Sequence, residues 1–164
     1  MKTNKLPDKP SELLMVAMQD LEVIESMPDK YVVMMSKWHN YSHGSTCSVC
    51  HAGAVMANTL KADAKHTYFP EEFGEETKCK LMAIDCFRRG LLVDALERMG
   101  VTIPSSLEDV YFNYNQGDID DFEEFGEDIT DVTDLDDLSD NLAHRDIYKN
   151  YICGLIGILQ AEGL

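Results

Sequence analysis

Cys47-Ser48-Val49-Cys50-His51-Ala52-Gly53-Ala54-Val55-Met56-Ala57-Asn58-Thr59-Leu60 is the stretch on which the fold turns. It contains no proline, and its centre over 52–57 is built of unusually small apolar side chains. A helix is predicted over 47–60. Small side chains let a neighbouring backbone come close, so this helix is expected at the middle of a helical core.

The flanking sequence points to more helices. Leu14, Ala17, Leu21 and Ile24 recur at helical spacing with Met18 beside them, which predicts a helix over 11–27. Ser11 after Pro10 is placed to cap it, and Pro28-Asp29 ends it. Tyr31-Val32-Val33-Met34-Met35 is β-prone and suits a short strand or a buried extended segment. Residues 38–46 are polar, contain Gly44, and read as a loop. Tyr68-Phe69-Pro70 breaks the chain. A helix follows over 75–89 with Leu81, Ile84 and Phe87 inward, stopped or kinked at Gly90. Leu91, Leu92, Ala95, Leu96 and Met99 continue the pattern to a stop at Gly100. Ser105 or Ser106 can cap a short helix toward Tyr114.

The last helix is predicted over 146–161. Ile147, Tyr151, Leu155 and Ile158 form one line, and Tyr148, Ile152, Ile156 and Leu159 the next. This broad apolar stripe needs a core. Gly154 and Gly157 are expected to mark a close helix crossing. The fold class is therefore mainly α, a compact helical domain of five to seven helices with at most a small β element.

Charge divides the chain. Of 164 residues, 30 are acidic and 14 basic, for a net charge of -16. Residues 1–100 hold 14 acids and 12 bases, whereas residues 101–164 hold 16 acids against Arg145 and Lys149. Within that second part, residues 108–140 contain 14 acids and no base. The composition changes at about residue 100, between a near-neutral helical core and an acidic segment followed by a core-packing helix. One domain overall is expected, because the last helix needs a partner surface. Strong negative charge argues against direct nucleic-acid binding and against anionic membranes. The first residues lack the apolar run of a secretory signal, and residues 152–159 are too short to span a bilayer. Five cysteines in no spaced framework read as reduced thiols in a cytosol.

The acidic tract is patterned. Asp128, Asp131, Asp134, Asp137 and Asp140 recur every third residue, in step with Ile129, Val132, Leu135 and Leu138. Upstream, Asp118, Asp120, Asp121, Glu123, Glu124 and Glu127 alternate with Ile119, Phe122 and Phe125. The apolar members imply a tract folded against the domain with its carboxylates outward. On a helix, every third residue advances about 4.5 Å. DNA carries roughly one charge per 3.4 Å along each strand. The Asp spacing is thus of the order of a phosphate track, and the pattern resembles that of the DNA-mimic inhibitors which phages direct at host nucleases and restriction systems. The resemblance is one of charge pattern alone. Asp118, Asp120, Asp121, Glu123, Glu124, Asp128, Asp131, Asp134 and Asp137 are the expected partner contacts, with Phe122 and Phe125 as apolar anchors. The competing expectations are a face that only keeps the protein soluble, and pairing with Lys78, Lys80, Arg88 and Arg89. Calcium is a third expectation, but the spacing fails the EF-hand pattern, since Phe122 falls where an oxygen ligand belongs if Asp118 and Asp120 are first and third, which leaves only loose divalent binding.

His39, His43, Cys47, Cys50 and His51 lie within 13 residues. The Cys47-Ser48-Val49-Cys50-His51 string matches covalent haem attachment, which needs export and a distal ligand and is set aside. Zinc through His43, Cys47 and Cys50, with His39 or His51 fourth, is the metal alternative. Without it no cofactor is expected. Cys79 and Cys86 cannot complete such a site, being about 10.5 Å apart along a helix. A nucleophilic Cys47 at a helix N-terminus beside His43 is a further possibility.

The segment 47–57, with Trp38 ahead of it, resembles a stretch found in small proteins of tailed bacteriophages. The resemblance covers about the first 100 residues of the chain. It implies no catalytic residues, only a setting in the cytoplasm of an infected bacterium. That setting favours an interaction protein over an enzyme. The expectation is an acidic protein that occludes a basic surface of a host nucleic-acid-handling or defence protein. The alternatives are a zinc-stabilised module or enzyme, and a structural or regulatory phage protein whose acids serve solubility.

Overall fold

The computed structural model describes residues 4–42, 44–107 and 145–164. The first helix, α1 (Pro10–Glu25), begins with proline in its first turn, where the missing N–H is no loss. Ser11 is not its cap. Lys9 holds that position without a side-chain hydrogen bond, while the Ser11 hydroxyl donates to a Leu164 oxygen and ties this helix to the residues that follow the last one.

Three short strands follow: β1 (Tyr31–Val33), β2 (His39–Tyr41) and β3 (Cys47–Val49). β3 is central, parallel to β1 and antiparallel to β2. Tyr31 registers with Cys47, and His39 with Val49. Two sequence expectations are corrected here. Residues 38–46 are not wholly loop, since they supply β2. Residues 47–60 are not one helix, since the first three pair as a strand with Cys47 and Val49 inward. Pairing on both sides decides the local structure, overriding helical propensity.

Helix α2 (His51–Asn58) takes over at Cys50, whose thiol accepts from the Gly53 N–H at 3.3 Å. Every residue over 51–57 is buried. Helix α2 lies between α1 on one side and α3 (Glu75–Arg88) on the other, as its small side chains implied. A Cβ on Gly53 would stand 1.7 Å from the Trp38 carbonyl oxygen, so here only glycine admits the neighbouring backbone. Gly157 behaves differently: among the described residues a Cβ there meets nothing within 4 Å and no helix crosses at that glycine.

Asp20 of α1 is buried and accepts from Asn58 Nδ2 and Thr59 Oγ1, each at 2.6 Å, fastening α1 to the end of α2. Beyond that end Lys61 adopts a left-handed φ of 60°. This conformation costs a non-glycine residue about 1–2 kcal/mol.

Helix α3 stops before Gly90 (φ 75°), and α4 (Leu92–Arg98) packs back on it as a separate helix. A 3-10 turn, Ser105–Leu107, buries Leu107. The expected extension toward Tyr114 lies outside the described residues. The last helix, α5 (Arg145–Ala161), packs on α1. Tyr148, Tyr151, Ile152, Leu155 and Leu159 are each no more than 1 % exposed, whereas Ile158 is only half-buried. Burying each large apolar side chain contributes roughly 1.5–3 kcal/mol, so the docked stripe holds α5 in the domain. The architecture is mainly α with a small three-stranded sheet. Among the described residues no helix is long and apolar enough to cross a membrane.

Candidate functional site

Strand β3 and the start of α2 bring most of the His and Cys cluster into the interior. Cys47 Sγ lies 3.4 Å from His39 Nδ1 and 3.7 Å from Nε2. His39 Nδ1 is also 3.0 Å from the His66 carbonyl. A carbonyl only accepts, so Nδ1 carries the hydrogen and Nε2 is left as acceptor. The Tyr31 and Tyr68 rings pack edge-on against the His39 imidazole. Burial pushes the Cys47 thiol up to about 11 and lowers the His39 pKa. Both therefore favour their neutral forms. Cys47 is not at a helix N-terminus, and the pair lacks the thiolate–imidazolium character of an activated nucleophile.

Cys50 acts differently. Besides accepting from Gly53, its thiol approaches the Trp38 carbonyl at 3.9 Å, and burial raises it too to about 11. His51, fully buried, has Nδ1 2.5 Å from the Tyr148 hydroxyl. Its Nε2 makes no hydrogen bond among the described residues, although the Ala17 backbone acts on the ring to favour its charged form. Burial dominates and lowers the His51 pKa to about 4, helped by the positive Arg88, Arg145 and Lys149. Burial also lifts the Tyr148 hydroxyl well above its usual range.

His43, the third residue of the zinc alternative, lies outside the described residues. Among the described residues no three His, Cys, Asp or Glu gather as a metal site. Cys47 and His39 face each other, while Cys50 meets Gly53 and the Trp38 carbonyl and His51 meets Tyr148. Tyr148 and the Trp38 carbonyl were not foreseen as those partners. No local signal marks a residue 97 positions away, and a carbonyl carries no residue-type signature.

The expected contacts Asp118, Asp120, Asp121, Phe122, Glu123, Glu124, Phe125, Asp128, Asp131, Asp134 and Asp137 all lie outside the described residues. Their flanks do not. Before the tract, the Ser106 hydroxyl donates to Glu162 Oε2 at 2.6 Å. After it, Arg145 is buried and its Nη1 reaches Glu25 Oε1 at 3.4 Å, with Lys149 Nζ 3.0 Å from Oε2. Arg145 stands at the N-terminal turn of α5 and Glu25 at the C-terminal turn of α1, each the end its charge disfavours. The pair offsets both. Ser106 and Arg145 thus hold to opposite ends of α5, a helix of 17 residues spanning about 25 Å.

Of the cations expected to receive the tract, Lys80 is committed elsewhere. Its three hydrogens reach the Leu6 carbonyl (2.8 Å), Asp8 (2.7 Å) and Glu76 (3.1 Å). Lys78 lies 3.9 Å from Glu75, and Arg88 pairs with Asp85 at 3.0 Å. Arg89 is exposed. No family model, curated protein or solved structure matches the chain.

Proposed function

We propose that the chain is a non-catalytic acidic interaction protein of phage type, acting in the bacterial cytoplasm. Its tract over 108–140 occupies a basic surface on a host nucleic-acid-handling or defence protein and excludes the nucleic acid by charge and bulk.

The observation that carries this proposal is the segregation of charge. The described residues hold 16 acids and 13 bases, while residues 108–140 hold 14 acids and no base. A near-neutral domain that fastens the flanks of so acidic a segment favours presentation over diffuse solubility. Opposite charge also speeds encounter with a basic groove and opposes wrong partners. Lys80, with no hydrogen left to donate, further supports carboxylates directed outward.

The proposal is tested by affinity capture from bacterial lysate at low and moderate salt. The full chain is compared with a variant carrying Asp128→Asn, Asp131→Asn, Asp134→Asn and Asp137→Asn. The expected result is a nucleic-acid-binding protein retained by the wild type and lost with the variant. Retention of the same partner by both would show that the acids do not make the contact.

A further inference from the structure

Away from the His and Cys cluster, the N-terminal arm, the end of α2 and the start of α3 enclose an open groove of about 530 Å³. That size suits a small molecule. Leu6, Leu60 and Phe73 supply its apolar lining.

Lys61 borders the groove and is the one non-glycine residue with positive φ among the described residues. It lies three residues past Asn58, the end of α2, in a turn closed by the Ala62 N–H donating to the Met56 carbonyl at 2.9 Å. Glycine takes a positive φ without strain. Lysine keeps the strain and adds a charged side chain, and strained positions of this kind gather at binding sites.

The other lining charges are engaged. Lys5 lies 3.4 Å from Glu76 and 3.5 Å from Asp8, while Lys80 has its three acceptors. Glu72 Oε2 accepts from the Phe69 N–H at 2.7 Å. Lys61 makes no ion pair among the described residues, which leaves its ammonium the uncommitted cation of the lining.

We propose that this groove binds a small organic anion with an apolar body. The body lies against Leu60 and Phe73, and the carboxylate or sulfonate head meets the Lys61 ammonium. This site is independent of the acidic tract.

The test titrates the full chain with the fluorescent anion anilinonaphthalene sulfonate and displaces it with octanoate. Wild type is expected to bind one probe per chain, saturably and displaceably. Lys61→Gly relieves the backbone while removing the charge, so it should fold at least as stably yet bind about tenfold more weakly, whereas Lys61→Arg should retain binding. Thr77→Trp, which fills the groove, should abolish it. The proposal is overturned if wild type shows no saturable binding. It is equally overturned if Lys61→Gly binds as wild type does, which would leave Lys61 only a helix-dipole role.

Discussion

The Tyr148 hydroxyl lies 2.5 Å from Nδ1 of His51, joining α5 to α2 across 97 residues of sequence. Both side chains are fully buried, so the pair is sealed from water. The second ring nitrogen has no hydrogen-bond partner among the described residues, which leaves the neutral imidazole little support for a proton.

That arrangement sets a pH dependence. The His51 pKa falls from 6.5 to about 4 on folding. Between those values the unfolded chain binds the proton more readily, so stability is full above pH 6.5 and is lost as pH falls toward 4. The shift corresponds to roughly 3 kcal/mol as an upper bound. Thermal melts of wild type and His51→Leu at pH 7 and pH 5 check this. The wild type should lose more stability than the variant over that interval. Parallel losses would assign the acid sensitivity to other groups. Tyr148→Phe should cost about 1–3 kcal/mol at pH 7, because it strands the second imidazole nitrogen as well.

Two glycines separate close approach from open space. Gly53→Ala places a methyl 1.7 Å from the Trp38 oxygen and should cost about 3 kcal/mol or more. Gly157→Ala meets nothing among the described residues and should gain about 0.5–1 kcal/mol. Chemical denaturation of the two variants measures both. A mild Gly53→Ala would mean that α2 and Trp38 are not in contact.

The thiols should sort by environment. Cys153 is exposed, whereas Cys47 and Cys50 are buried, with thiols pushed up to about 11. In a native Ellman titration at pH 7.5, Cys153 should react first, and Cys47 and Cys50 only on unfolding. Rapid modification of Cys47 in the native state would show an open, activated site.

How much of this was legible in the sequence differs by element. Helices α1, α3 and α5 carry full turns of apolar period and end at residues such as Gly90, so their existence followed from pattern. Strands β2 and β3 have three residues each, too few for any period to declare itself. Their structure comes from pairing with chain outside the window, and the helix expected from residue 47 begins instead at His51. The buried condition of Cys47 and Cys50 fits small apolar thiols. Their partners required knowing that Trp38 crosses α2 at Gly53. The acidic tract was conspicuous by composition, and its contacts lie outside the described residues.

Salt should act on the tract directly. Self-repulsion among 14 acids without a base is screened as ionic strength rises. The melting temperature should therefore increase by about 2–4 °C from low to moderate NaCl. A flat response would indicate carboxylates already neutralised within the protein.

The most direct measurement follows fluorescence anisotropy of a labelled DNA duplex bound to the captured partner while this protein is added. Wild type should release the duplex stoichiometrically at low salt, less effectively as salt rises, and the four-asparagine variant should not release it. Release by the variant equal to wild type, or a ternary complex with DNA still bound, would contradict occlusion of a basic surface by the acidic tract.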